Sequence, residues 1–159
     1  MKGALTLTGG RVYAARKAES GMSCVFCRIV AGEIPGEVIA REPDAVAFLD
    51  VQPLADGHTL VVPRAHVGTI EALDDAAADH LFRLVRRLAD PVRRAVGAAG
   101  TTIGVNNGEA TGQTVPHVHV HIVPRWPNDG AGSVHTIFPR NTSRTLADVG
   151  AAIRKALDA

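Results

Sequence analysis

The sequence predicts an α+β fold built on an antiparallel sheet, and three observations carry that expectation. Five short segments are rich in β-branched and apolar residues: 37–41 (EVIAR), 45–50 (AVAFLD), 58–63 (HTLVVP), 101–106 (TTIGVN) and 117–123 (HVHVHIV). The first three follow one another through brief turn-forming stretches, Glu42-Pro43-Asp44 and Pro53 to Gly57. That is hairpin spacing, whereas parallel strands are separated by crossover helices. Only one long helical pattern interrupts the series, with Leu81, Leu84, Val85 and Leu88 at helical intervals and Arg83, Arg86 and Arg87 between them.

In chain order, residues 1–21 mix glycine, threonine and basic residues without sustained periodicity and read as a flexible N-terminal extension. Residues 22–159 read as a single domain that includes a C-terminal helix. Ser23 is a candidate N-cap for a short helix over CVFCRIVA, with Gly32 near its end. The three hairpin-linked strands follow. Asp74-Asp75 suits the start of the long helix, where the helix dipole favours acids. Pro91 lacks an N–H and is expected to kink or restart that helix, with Val92, Ala95 and Val96 continuing its apolar face. The fourth strand, the polar loop NNGEATGQT and the fifth strand come next. After them lie a glycine-rich stretch, RWPNDGAGSVHT, and an amphipathic segment, TLADVGAAIRKALDA, that reads as helical. No internal repeat or low-complexity tract is present.

Composition narrows the function classes. A chain of 159 residues suffices for a hydrophobic core without staples. The formal charge of +1 gives no electrostatic footprint for nucleic acid. No apolar run approaches a membrane span, and the N-terminal segment lacks the apolar region of a secretory signal. A cytoplasmic setting is the expectation, and two close cysteines, Cys24 and Cys27, are unlike a secreted disulfide framework.

Two motifs carry chemistry. The first, C-V-F-C, has three readings: buried thiols, a redox dithiol, or half of a zinc site. A redox pair favours a βαβ setting that does not follow here. A zinc site needs two further ligands, for which His66 and His117, each bordering a strand, are the candidates. The second is H-V-H-V-H. Alternate residues of a strand share a face, so His117, His119 and His121 would stand in a row with the valines behind them. Such a row can be a solvated face, an all-imidazole metal site, or a phosphate-handling site. The loop upstream, residues 106–114, favours the last. Its glycines let backbone N–H groups face an anion, and Gln113 and Thr114 add side-chain donors. A neutral imidazole there can attack phosphorus. His80 and His135 read as solvated histidines.

HVHVHIV fits the His-φ-His-φ-His-φ-φ pattern, with φ apolar, at every position. With CVFCRIVAGEIPGEVI, AFLDVQPLADGHTLVVPRAHV and NNGEATGQTVPHVHVHIVPR, the chain resembles bacterial histidine-triad proteins from about Cys24 to Arg125. The resemblance implies a five-stranded antiparallel sheet, paired in a homodimer into a continuous ten-stranded one. It implies a nucleotide hydrolase or transferase that attacks the α-phosphate of a nucleotide, with a purine nucleotide such as AMP or an AMP-containing conjugate as partner. His119 matches the nucleophile that forms a nucleotidyl-histidine. Gln113 and Thr114 match the phosphate-binding pair, His121 the phosphate-contacting histidine, Asn106 the asparagine beside it, Asp50 the ribose-binding acid and His58 a histidine at the site's edge. Cys24, Cys27, His66 and His117 match the ligands of one structural zinc. Pro116 departs from the pattern, standing where relatives often carry an aromatic or long side chain. Nucleoside phosphoramidates and dinucleoside polyphosphates both remain open as substrates. A nucleotide-binding or protein-interaction module with incidental turnover is the alternative, against which the intact His119 and Gln113 count.

Overall fold

The computed structural model describes residues 24–138 and 142–157. The N-terminal extension expected over residues 1–21 and the capping role expected for Ser23 lie outside them. The chain divides into two compact units, one running to Pro127 and the other starting at Asn128.

The first unit opens with helix α1, Val25–Ala31. Gly32 ends it in the left-handed conformation at φ 79°, its N–H and that of Glu33 closing on Ile29 and Arg28 carbonyls, a turn that glycine adopts without a Cβ clash. Strands β1 (Val38–Arg41), β2 (Ala45–Leu49) and β3 (Thr59–Pro63) follow as successive antiparallel neighbours. Helix α2, Asp75–Ala95, then crosses to β4, Gly100–Gly104, and β5, Val120–Arg125. The five strands form one sheet in the order β1-β2-β3-β5-β4, antiparallel at every pairing. The α+β class and the antiparallel sheet are as the sequence predicts.

Period-two alternation divides the core between the two faces of the sheet. Ala45, Ala47, Val61, Val118, Val120 and Ile122 form one cluster with Leu81, Leu84, Val85 and Val92 of α2. Alanines on β2 leave room for the helix to approach closely. Val46, Phe48, Leu60 and Val62 point the other way and pack with Cys24, Phe26 and Ile29 at α1. The histidine row belongs to this second face, because its intervening valines belong to the first.

Two expectations are corrected. Pro91 does not restart α2: the helix runs from Asp75 to Ala95 without interruption across it. Pro91 is exposed, so the carbonyl of Arg87 that loses its donor lies on the side that water can serve, and buried Val92 keeps the apolar face registered. Asp74 is the N-cap, accepting from Ala77 N at 2.7 Å. The fifth strand begins later than its pattern suggests, at Val120, so only His121 of the triad lies in the hydrogen-bonded ladder. Upstream, Val118 N–H leaves β3 and donates to Val67 O at 2.7 Å, which preserves the alternation without the ladder.

The second unit contains α3, Val134–Ile137, and α4, Leu146–Leu157. The C-terminal helix is as expected, while α3 is an additional turn within the stretch read as a loop.

Candidate active site and metal centre

β5 and the segment leading into it set the histidines along the α1 side of the sheet. His117 is fully buried, His119 nearly so, and His121 half-buried. Phe26, between the two cysteines on α1, meets the His117 and His119 rings edge-on at 5.9 and 5.2 Å. Sequence reasoning missed this residue, although its place inside C-V-F-C is the signal that could have found it.

Each histidine's tautomer follows from the donors around it. His119 Nδ1–H donates to the His117 carbonyl at 2.8 Å, which leaves Nε2 of the neutral ring with its lone pair. The Leu54 backbone N–H donates to His58 Nδ1 at 3.2 Å, so the proton of neutral His58 is on Nε2. That nitrogen is 2.9 Å from His121 Nδ1 and donates to it. His121 must therefore carry its proton on Nε2, a buried atom without a hydrogen-bond partner among the described residues. An unpartnered donor of this kind is costly unless a ligand takes it. Burial, reinforced by His119 and His58, lowers the His121 pKa to about 4. Burial also lowers that of His58, partly offset by the Asp50 carboxylate and deepened by His119. Both rings are thus held neutral at physiological pH.

A cavity of about 460 Å³ opens beside this row, lined by Asp50, His58, Thr114, His119 and His121. Val25, Phe26, Ile29, Ile34 and Leu60 give it an apolar wall. Its size and mix of apolar wall with few polar groups suit a ligand of nucleotide size. Asp50 holds one oxygen through Gln52 N–H at 2.9 Å, and its other oxygen lies 3.6 Å from His58 Nδ1. That distance is too long for a hydrogen bond, and the His58 nitrogen already accepts from Leu54, so the second oxygen is available to a ligand hydroxyl.

Two residues matched to the phosphate site stand elsewhere. Asn106 is exposed beyond β4 and does not line the cavity. Gln113 clasps two loops: its amide N–H groups donate to Gly68 O at 2.8 Å and Val115 O at 3.0 Å, and its Oε1 accepts from Gly108 N–H at 2.7 Å. Gly108 and Gly112, at φ 93° and 87°, let this loop turn so tightly.

Cys24, Cys27, His66 and His117 bring one ligand atom each within 4.8 Å of one another. Cys27 Sγ lies 3.3 Å from His66 Nδ1 and 3.5 Å from His117 Nδ1, and Cys24 Sγ lies 3.5 Å from the same His117 nitrogen. Tetrahedral zinc with bonds of about 2.3 Å to sulfur and 2.0–2.1 Å to nitrogen sets such atoms roughly 3.6 Å apart, so the four residues fit the metal. His117 Nε2–H donates to Pro63 O at 2.9 Å, which turns the Nδ1 lone pair toward the sulfurs. Burial and the adjacent Cys24 push the Cys27 thiol up to about 11. A Cys27 thiolate at neutral pH therefore needs a cation beside it. Asp50, His58 and His121 also cluster, but the Leu54 and His58 hydrogen bonds already occupy both His58 nitrogens and His121 Nδ1.

The sequence matches the HIT domain over residues 31–128. It is 39% identical over 111 residues to an adenosine 5'-monophosphoramidase of Schizosaccharomyces pombe, covering 70% of this chain and 80% of the relative. A HIT-family crystal structure from Bacillus subtilis superposes with a TM-score of 0.75 at 33% identity, covering 84% of this chain and 96% of that one. A zinc-bound histidine triad protein from Mycobacterium smegmatis does so with a TM-score of 0.67 at 34% identity, covering 87% and 96%. With these matches across its sheet and its site, the chain belongs to the HIT family.

Proposed function

We propose that the protein hydrolyses a nucleotide at its α-phosphate through a covalent nucleotidyl-histidine on His119, with AMP-containing conjugates as substrates. The observation that carries this reading is the polarity of the histidine row. His119 Nε2 is unprotonated because Nδ1–H is held by the His117 carbonyl, and a buried, unpartnered His121 Nε2–H stands in the same cavity. A nucleophile and a fixed donor side by side are what phosphoryl transfer asks of a protein.

In the first step the His119 Nε2 lone pair forms a bond to phosphorus as the bond to the leaving group breaks. The leaving group keeps that electron pair and takes a proton from water. The His117 carbonyl holds Nδ1–H throughout and stabilises the positive charge gained by the ring. His121 Nε2–H donates to a phosphoryl oxygen, and Thr114 offers a hydroxyl at the rim. In the second step water attacks phosphorus and gives a proton to the hydroxide left by the first step, the P–N bond returns its electrons to His119, and the nucleoside monophosphate leaves. Asp50 accepts from the ribose hydroxyls, and the apolar wall around Phe26 takes the base. The activity named for the fission yeast relative supports the same chemistry here.

Cys24, Cys27, His66 and His117 would hold one zinc ion, which supplies a closed structural cross-link when bound. The zinc-bound relative supports this assignment. Through His117 the cross-link reaches the carbonyl that orients His119. The proposal includes a homodimer, for which β4 at the sheet's edge offers an unpaired strand. It also includes a cytoplasmic setting, where free cysteines persist.

A phosphorus NMR time course on adenosine phosphoramidate and diadenosine polyphosphate tests the reading. Wild type should release AMP and His119→Ala should lose turnover by at least about 10³-fold while still binding AMP. Equal rates in the two proteins would remove His119 as nucleophile.

A further inference from the structure

Cys24 and Cys27 are the two cysteines of the chain, and both are free. Helix α1 sets them on one turn: Cys24 is its N-cap, with extended dihedrals of φ −76° and ψ 119°, and Cys27 stands three residues on. Residues three apart on a helix are neighbours. A disulfide asks for Cα atoms roughly 4.4–6.8 Å apart, a span that one helical turn meets. The two sulfurs already lie within 4.8 Å of each other. Their access differs, because Cys24 is buried and Cys27 is partly open. Both face His117 Nδ1, at 3.5 Å each. Between them in the chain, Phe26 rests edge-on against the His117 and His119 rings. The thiol pair thus adjoins the candidate nucleophile through one side chain.

We propose that Cys24 and Cys27 form a peroxide-responsive switch: oxidation closes a disulfide between them, removes the metal site and lowers turnover at His119. The effect on turnover rests on the hydrolase reading above. The Cys27 thiolate, the more open of the two, attacks one oxygen of hydrogen peroxide. The O–O bond breaks, the released hydroxide takes a proton and leaves as water, and Cys27 carries a sulfenic acid. The Cys24 thiolate then attacks that sulfur, the S–O bond breaks, and a second hydroxide takes a proton from solvent. Two electrons pass from the sulfurs to the peroxide, which ends as two waters. A thiol reductant reverses the bond by exchange. A disulfide sulfur carries no charge, and the thiolate is the form that binds metal. The oxidised pair therefore gives up a zinc ion that the four residues hold. Closing the bond draws the sulfurs to about 2.05 Å and tightens the turn that carries Phe26 against His119. His117 loses its partner on Nδ1, and its carbonyl is the group that holds His119 Nδ1–H.

The test uses the full chain loaded with zinc and treated with a slight excess of hydrogen peroxide beside a chromogenic zinc chelator. Zinc release, free thiols, intact mass and hydrolysis of adenosine phosphoramidate are followed together. The expected result is release of the zinc with loss of both thiols, and a chain lighter by two hydrogens than the reduced, metal-free one. Turnover should fall about tenfold and return after treatment with dithiothreitol and zinc. Zinc and both thiols retained under peroxide would overturn the switch, as would oxygen added to the sulfurs with no disulfide. Complete disulfide formation with turnover unchanged would overturn it too. A chain that hydrolyses no phosphoramidate before oxidation removes the hydrolase reading instead, and the zinc, thiol and mass readouts then judge the disulfide by themselves.

Discussion

His121 takes its chemical role from a backbone group two hydrogen bonds away. The Leu54 N–H fixes His58, and His58 fixes His121, so a backbone group on the β2–β3 loop decides which imidazole nitrogen faces the phosphate. The same neutrality links the site to stability. With a folded pKa of about 4 against 6.5 for the free side chain, His121 binds fewer protons folded than unfolded between those values. Stability from this group is therefore complete above about pH 6.5 and is lost as the pH falls toward 4. Thermal melts across that range should show the loss in wild type and a shallower dependence in His121→Asn, whose turnover should fall about 10²-fold with the donor displaced. Identical pH dependence in the two proteins would contradict the assignment. The row of His117, His119 and His121 was legible in the sequence because its motif is local, whereas Asp50 and His58, which line the same cavity, came only from the family resemblance. The tautomer chain and the Gln113 clasp were not legible. Gln113 bonds Gly68, 45 residues away, and no local pattern reports that two loops meet.

Helix α1 is short and its position depends on what it carries. Cys24 and Cys27 reach His66 from the β3–α2 connection and His117 from the approach to β5, while Phe26 packs on Phe48 and the histidine rings. Purified protein should hold close to one zinc per chain by elemental analysis. Cys24→Ser should lose the metal and lower Tm by roughly 10 °C or more, because removing a structural metal costs several kcal/mol and each shifts Tm by about 2–4 °C in a chain of this size. A metal-free wild type that matches a zinc-reconstituted sample in Tm would contradict the cross-link. The elements themselves were largely readable, from period-two runs and the spacing of Leu81, Leu84 and Val85. That α2 continues through Pro91 was not readable, because the cost of a proline depends on which side of the helix it occupies, and that is a tertiary fact. The late start of β5 has a similar origin: β3 pairs with it only from Val61 back to Thr59, and Val118 finds Val67 instead.

The sheet order of the whole molecule depends on α2. Hairpin spacing makes β1, β2 and β3 neighbours, but β5 enters between β3 and β4, and that insertion follows from the helix crossing before β4, which no strand pattern announces. It leaves β4 at the edge with Ile103 substantially exposed, an arrangement that favours pairing with another chain. In the proposed homodimer β4 pairs with its counterpart, so light scattering should give twice the chain mass for wild type. Ile103→Glu, with like charges facing across the two-fold, should shift the protein toward monomer. A monomeric wild type would contradict edge pairing. No helix among the described residues is long and apolar enough to cross a membrane.

The covalent intermediate on His119 is the central claim, and the most direct measurement is its capture. Wild type and His119→Ala would be mixed with excess adenosine phosphoramidate, quenched within milliseconds in alkali, where phosphoryl-imidazole bonds survive, and analysed by intact and peptide mass. The expected result is an adenylyl adduct on the peptide containing His119 in wild type and none in the variant. Turnover by wild type with no adduct at any quench time, together with inversion of configuration at a chiral phosphorus, would establish direct attack by water and contradict the account.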